Sequence, residues 1–294
     1  MNGMTEPQPN ASAPSSATPP AARKWLLTVK IIGVVLGIFL TAMLADALVA
    51  ARAEHKISQH LYEDSNLPNP PKVMLAGFPY IAAAFTHELE ATTVTANDVD
   101  VPGFGTVSVQ SSAQYVTVTP REVFNGIFKD APARKVFSRL QLDVVSLGKR
   151  MGIPDLGIQN KDDSSPRGGW ETEAIFTGTP HGYHAPAIIE MKLRIRQGDV
   201  FLVPVAVVEG PVSMAEGAKI KDANELDEDL KKDILSRFQL EIPADSLPFT
   251  GVPMRTYVSG GSFFIDSEKY YTRVSLEDLA PPTRPLREEE QPGL

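Results

Sequence analysis

The 294-residue chain contains no cysteine. Disulfides, thiolate nucleophiles, cysteine zinc sites and acylated-cysteine anchors are therefore excluded. Aromatic residues make up only 7%, against 25 prolines, a balance that suits strands and loops better than a helical bundle. Basic side chains are also in deficit, 28 against 36 acidic, for a formal net charge of −8. That charge is uneven. Residues 1–51 carry Arg23, Lys24 and Lys30 against Glu6 and Asp46, so the remainder of the chain is at −9. A general nucleic-acid binder needs a basic footprint, and this body lacks one.

Catalytic fingerprints are missing as well. There is no Gly-x-Ser-x-Gly elbow, no phosphate-cradling Gly-x-x-x-x-Gly-Lys-Ser/Thr and no His-Glu-x-x-His helix. Gly103-Phe104-Gly105 lacks a third glycine and a following helix, and reads as a turn. His181 and His184 lie between Pro180 and Pro186, which favours a loop over a metal-binding helix face. Asp162 and Asp163 lack the alternating ligands of a calcium loop. No catalytic residue, metal or cofactor is assigned; a lipid or glycan hydrolase with dispersed catalytic residues stays open as an alternative.

What is present divides along the chain. Residues 1–24 are small, polar or proline and cannot bury enough apolar surface to order themselves, so a disordered tail is expected. Residues 25–51 follow, with an unbroken apolar run from Ile31 to Ala45, Trp25 suited to the headgroup belt and Lys30 able to snorkel. Twenty-seven helical residues reach about 40 Å at 1.5 Å each, enough to cross a bilayer with tilt. The expectation is one uncleaved signal anchor, with a cytoplasmic N-terminus and an extracytoplasmic body over 52–278. Small residues around Ala45-Asp46-Ala47 and Val49-Ala50-Ala51 leave peptidase cleavage open. Residues 279–294 carry four prolines and Glu288-Glu289-Glu290 and are expected to form a loose acidic tail.

In the body, Ala50, Ala53, Ile57 and Leu61 recur at helical intervals, continuing the membrane helix to Tyr62 before Pro68, Pro70 and Pro71 stop it. Strands are predicted over Lys72–Ala76, His87–Val94, Thr106–Val118 and Val136–Val145. In Thr106–Val118 the alternation changes parity near Gln114, which predicts a bulge or bend. Thr119-Pro120-Arg121-Glu122 matches a capping box opening a short helix, and Leu147–Leu156 reads as a short amphipathic segment. Residues 157–187 read mainly as an extended loop. Ile188–Val208 is a hairpin turning at Gln197-Gly198-Asp199, and Ala223–Phe238 is a helix with Leu226, Leu230, Ile234 and Phe238 as its buried stripe. Met254–Val258, Ser262–Asp266 and Tyr270–Leu276 are strands, the first two joined by a Ser259-Gly260-Gly261 turn. The fold class is α+β: a long curved antiparallel sheet wrapped on one or two helices, preceded by a single transmembrane helix.

Such a sheet leaves an apolar groove against its helix, a site for lipid chains that requires no catalytic group. Phe78, Tyr80, Ile81, Phe85, Ile127, Phe128, Ile153 and Leu156 are the candidate lipid-binding residues; ordinary core is the competing reading for each. Pro70–Tyr80, ending in Gly77-Phe78-Pro79-Tyr80, resembles the hallmark of an actinobacterial envelope family. The similarity continues through Val94–Pro102 and returns from Leu247-Pro248-Phe249 through Val258–Gly261 to Leu276. These are the LmeA-like phospholipid-binding proteins, and the resemblance covers most of residues 50–278. It implies a tubular lipid-binding fold, a phospholipid partner at the membrane and a role in lipoglycan assembly without transferase activity. The motif carries no catalytic residue, so Gly77, Phe78, Pro79 and Tyr80 transfer only as a motif. The long proline-rich tail, Tyr80 where phenylalanine is frequent, and the 157–187 segment depart from the pattern. A scaffold for an envelope glycosyltransferase is the competing non-enzymatic reading.

Overall fold

The computed structural model describes residues 20–281, except 66, 102, 162–168 and 250. The expected tail up to residue 19, most of the loop at 161–169 and the acidic end from residue 282 lie outside the described residues. The chain runs through α1 (Pro20–Asp64), β1 (Lys72–Ala76), α2 (Ala83–Thr86), β2 (Glu88–Val101), β3 (Gly105–Thr117), α3 (Pro120–Asn125), β4 (Ala131–Asp143) and α4 (Val144–Met151). It continues through β5 (Gly157–Asn160), β6 (Glu171–Gly178), β7 (Ala187–Arg196), β8 (Asp199–Pro211), β9 (Ile220–Asp222) and α5 (Glu228–Ser236). Last come β10 (Leu240–Ile242), β11 (Val252–Ser259) and β12 (Ser262–Val274). Two units are distinguished, Met1–Asp46 and Ala47–Leu294.

In the first unit, helix is continuous from Pro20, so it begins inside the segment read as tail. Ile31, Ile32, Val34, Val35, Ile38 and Leu44 are exposed around the helix. A helix apolar on all sides is at home in lipid rather than water. Thr28–Glu63 is long and apolar enough to cross a membrane.

The second unit holds the predicted α+β architecture, with its strands divided between two antiparallel sheets rather than one. The first has the order β1-β2-β3-β4-β12-β11; the second runs β10-β8-β7-β6-β5, with β9 added beside β8. The sheets meet where Gly169 and Thr256 form an antiparallel bridge, the Thr256 N–H donating to the Gly169 carbonyl at 3.0 Å. Val109, Leu140 and Phe263 of the first sheet share one core with Phe176, Ile189 and Leu202 of the second.

The first sheet bends along a row that crosses four strands. Buried positions run Val107, Val109, Ala113 and then Val116 on β3, and Ala133 and then Val136 on β4. β2 skips from Leu89 to Thr92 in the same row, and on β12 the skip separates Ser267 from Val274. Cross-strand pairing stays in register on either side, with Val116 opposite Ala133 and Ala133 opposite Thr272. Tyr115 and Tyr271, which lie in this row, have φ of 51° and 50°. The parity change read near Gln114 is thus a transverse bend of the whole sheet, and it keeps apolar side chains inside on both limbs.

Ala53, Ile57 and Leu61 of α1 are buried in that bend with Val94, Ala113, Val116, Ala133 and Leu276. Two polar contacts fasten the same stretch to the edge strand: Ser58 donates to the Pro71 carbonyl at 2.7 Å, and Glu54 accepts from Leu75 N–H at 2.8 Å. The predicted capping box is present at α3, with Thr119 and Glu122 bonding reciprocally. At its other end Gly126 has φ 76°, and a Cβ there would stand 2.9 Å from Ile57 Cγ1 and 3.2 Å from the Ala53 carbonyl. Only glycine permits both the turn and this approach.

Several local readings need correction. The Ala223–Phe238 helix is interrupted: a 3-10 turn at Ala223–Glu225 gives way to extended backbone at Leu226 and Asp227. Asp227 then caps α5 by accepting from Asp229 N–H, so the side-chain cap starts the helix one turn later than the apolar stripe suggests. Residues 157–187 contain β5 and β6, because Thr172, Ala174 and Phe176 alternate inward beside β7. The two strands read at Ser262–Asp266 and Tyr270–Leu276 are one continuous β12. In the loop that carries His181 and His184, both histidines are exposed and Tyr183 between them is buried, donating to Asp233 at 2.6 Å. Arg237 hydrogen-bonds the same carboxylate and holds it below the usual carboxylate range.

Two outcomes follow from this packing. Gly126→Ala combines a left-handed alanine, about 1–2 kcal/mol, with overpacking against Ile57, about 1–3 kcal/mol; denaturant unfolding should show that order of loss, and an unchanged midpoint would contradict the close approach. Burial and the Asp233 carboxylate push Tyr183 from 10.0 up to about 12. A folded-state value above the unfolded one means stability is fully present below pH 10 and is lost as pH rises toward 12. Tyr183→Phe should flatten that alkaline slope in unfolding measured between pH 9 and 11.5.

Candidate functional site

The Gly77–Tyr80 motif forms the corner where β1 leaves the sheet. Gly77 has φ 114°, a conformation that L side chains rarely adopt, and the Phe78–Pro79 peptide is cis. Pro79 precedes a single 3-10 turn, Tyr80–Ala82, that runs directly into α2. The turn drives Tyr80 inward, where its hydroxyl donates to the Val123 carbonyl of α3 at 2.6 Å. Tyr80 is thereby a pin between two short helices. A phenylalanine could not make this bond.

Opposite the pin, the corner faces solvent. Phe78 is 65% exposed and Phe85 79% exposed, and Phe124 on the adjoining α3 is 53% exposed. Ile127, just after α3, is also exposed, and Ile81 is half-buried. Four large apolar groups left open on neighbouring short elements, above a closed core, are the pattern of a surface that meets another apolar phase. A hollow of about 260 Å³ lies beneath the corner, walled by Phe78, Pro79, Tyr80, Ala83, Thr86 and Tyr115. Its far wall is the bend of the sheet. There Arg134 stacks over the Tyr115 ring at 5.0 Å and pairs with Glu88 at 2.5 Å.

The eight residues singled out from the sequence fall into three places. Phe78, Phe85 and Ile127 are on the surface of this corner, with Ile81 at its margin. Tyr80 and Phe128 are buried in the core around α1. Ile153 and Leu156 are buried in the core between the sheets, away from the motif. Ile153 is packed so tightly that a Cβ on Gly178 would come within 2.5 Å of its Cγ2. The structure therefore brings together the 78–85 and 124–128 residues and sets 153–156 apart. Phe124 was not among the eight; its signal was its place beside Val123 on a six-residue helix too short to bury both faces.

A family model described as LmeA-like phospholipid-binding matches residues 44–268, more than half of the chain. The match takes in the last residues before the first unit ends, the motif corner, both sheets and most of β12. No curated protein and no solved structure matches the chain.

The corner predicts a split between its two aromatics. Tyr80→Phe removes a buried hydrogen bond and should cost about 1 kcal/mol, of the order such bonds contribute net, without altering lipid pickup. Phe78→Asp should leave the unfolding midpoint nearly unchanged and lower the amount of phospholipid retained. Equal destabilisation by both would make the corner purely structural.

Proposed function

The chain belongs to the LmeA-like phospholipid-binding family, and from that membership we propose that it is a membrane-tethered protein that binds phospholipid at the Phe78–Phe85–Phe124 corner. The observation that carries the reading is the pairing of the family match with three phenylalanines, Phe78, Phe85 and Phe124, left exposed on the motif turn and the two short helices beside it. The second unit holds a body of net charge −9, which anionic headgroups repel as a whole. Attachment then depends on the apolar helix ahead of it and on a local apolar surface.

In this reading Phe78, Ile81, Phe85 and Ile127 contact acyl chains, Tyr80 and Phe128 hold the corner in shape from below, and Ile153 and Leu156 keep the two sheets together. Residues 25–51 span the membrane as an uncleaved anchor, the N-terminal tail lies in the cytoplasm and residues 52–278 form an extracytoplasmic lipid-binding domain. The protein works in the cell envelope, supporting lipid or lipoglycan assembly by holding a lipid rather than by transforming it. An envelope glycosyltransferase that uses the held lipid is the corresponding protein partner.

The full chain, purified in a neutral detergent and extracted with organic solvent, should yield phospholipid in near-stoichiometric amount by mass spectrometry. Exchange into lipid-free detergent should release it, and added phospholipid should rebind. A folded preparation that neither retains nor rebinds phospholipid would overturn the proposal.

A further inference from the structure

Beside the apolar corner lies a second feature with a different chemistry. α1 carries Lys56, Gln59, His60 and Glu63 on one face, since these positions recur every three or four residues. That face flanks the buried Ala53, Ile57 and Leu61 stripe, with Lys56, Gln59 and Glu63 exposed and His60 half-buried. Across from it, α3 and the residue pair after it present Arg121, Asn125 and Ile127. Together they enclose an open cleft of about 500 Å³.

The charges in this cleft are unequal in their freedom. Among the described residues, Lys56 and Arg121 make no ion pair. The Glu122 carboxylate is committed to its own capping box, accepting from Thr119 N–H at 2.7 Å and from the Thr119 hydroxyl at 2.8 Å. His60 stands 3.7 Å from Glu277. Glu63 is the remaining carboxylate on the wall and is exposed. Two cations without an ion pair among the described residues thus line the cleft, one from α1 and one from α3, with the Gln59 and Asn125 amides beside them. Lys56 and Arg121 balance Glu63 and Glu122 on the lining, so the cleft is formally neutral on a body that is acidic as a whole.

We propose that this cleft is a phosphate-recognition site for the headgroup of the bound phospholipid. The proposal rests on the phospholipid-binding reading and deepens it. Lys56 and Arg121 supply charge-assisted hydrogen bonds to phosphate oxygens, and Asn125 and Gln59 bond to the remaining ester or glycerol oxygens. Ile127 belongs both to the cleft wall and to the apolar corner, so it marks the crossing from headgroup to acyl chain. Glu63 on the same wall disfavours a bare polyanion and suits a headgroup that also bears an ammonium group.

The test uses the full chain in neutral detergent with a short-chain phosphatidylethanolamine as probe, titrated by calorimetry. Inorganic phosphate and a long-chain alcohol, which has no phosphate, are titrated in parallel. Lys56→Gln/Arg121→Gln should weaken the phospholipid at least tenfold and leave the alcohol unchanged, while Lys56→Arg restores most of the phospholipid affinity. Because both side chains are exposed, an unchanged circular dichroism spectrum and melting curve are expected for each variant. Undiminished phospholipid binding by the double variant would overturn the cleft while leaving the apolar corner standing. Inorganic phosphate binding as tightly as the phospholipid would show a free-anion site instead, and also overturn it. If the unmodified chain bound neither phospholipid nor alcohol, the phospholipid-binding reading would fall, and the cleft with it.

Discussion

The seat of Ala53, Ile57 and Leu61 in the bend of the first sheet is the constraint on which the rest of the second unit depends. A flat sheet could not close around a helix on both limbs, because strict alternation would turn every other limb's apolar side chains to solvent. The skipped residue in each of four strands solves this by reversing parity along one row. Gly126 then lets α3 close down on Ile57, and Ser58 and Glu54 fasten the helix to the edge strand. With the helix seated, α2 and α3 have only one side each to bury. Their other sides, bearing Phe85 and Phe124, stay open.

This division of labour explains why the motif corner is at once rigid and exposed. Gly77 turns the chain, Tyr80 is locked to the Val123 carbonyl, and Phe78 is thereby held outward. An exposed phenylalanine on a mobile loop would collapse onto the nearest apolar surface; one on a pinned turn cannot. In the proposed reading, the apolar corner and the Lys56–Arg121 cleft are the two halves of one amphiphile's complement, and α3 supplies side chains to both. The acidic remainder of the body then discourages broad adhesion to anionic lipid surfaces, leaving recognition to these local groups.

Much of this was legible in the chain, for identifiable reasons. The β1 boundaries, the capping box at Thr119–Glu122 and the Gly260-Gly261 turn depend on neighbours in sequence, and each appears where the residues imply it. The parity change near Gln114 was also local and visible, but its meaning was not. That three other strands change parity in the same row is a fact of pairing, which one strand cannot reveal. The division into two sheets is likewise a fact of pairing, and within 157–187 the four-residue β5 is held by its partner β6, whose own inward alternation at Thr172, Ala174 and Phe176 was the readable signal. The helix expected from Ala223 is split because two aspartates cap in succession, Asp222 the 3-10 turn and Asp227 α5. At the candidate site, aromatic identity was informative but direction was not. Tyr80 and Phe78 are two residues apart, as on one face of a strand, yet the turn sends one inward and the other out.

The central claim is that phospholipid meets the protein at this corner and not at other exposed aromatics of the sheet. Its most direct test places a photo-crosslinking amino acid singly at positions 78, 85 and 124 of the full chain in lipid nanodiscs, with position 271 as the comparison. Tyr271 is 87% exposed on the bend, so exposure alone does not distinguish it from the corner. The account predicts phospholipid adducts by mass spectrometry at 78, 85 and 124, and none above background at 271. Adducts of equal yield at all four positions, or at 271 alone, would contradict it.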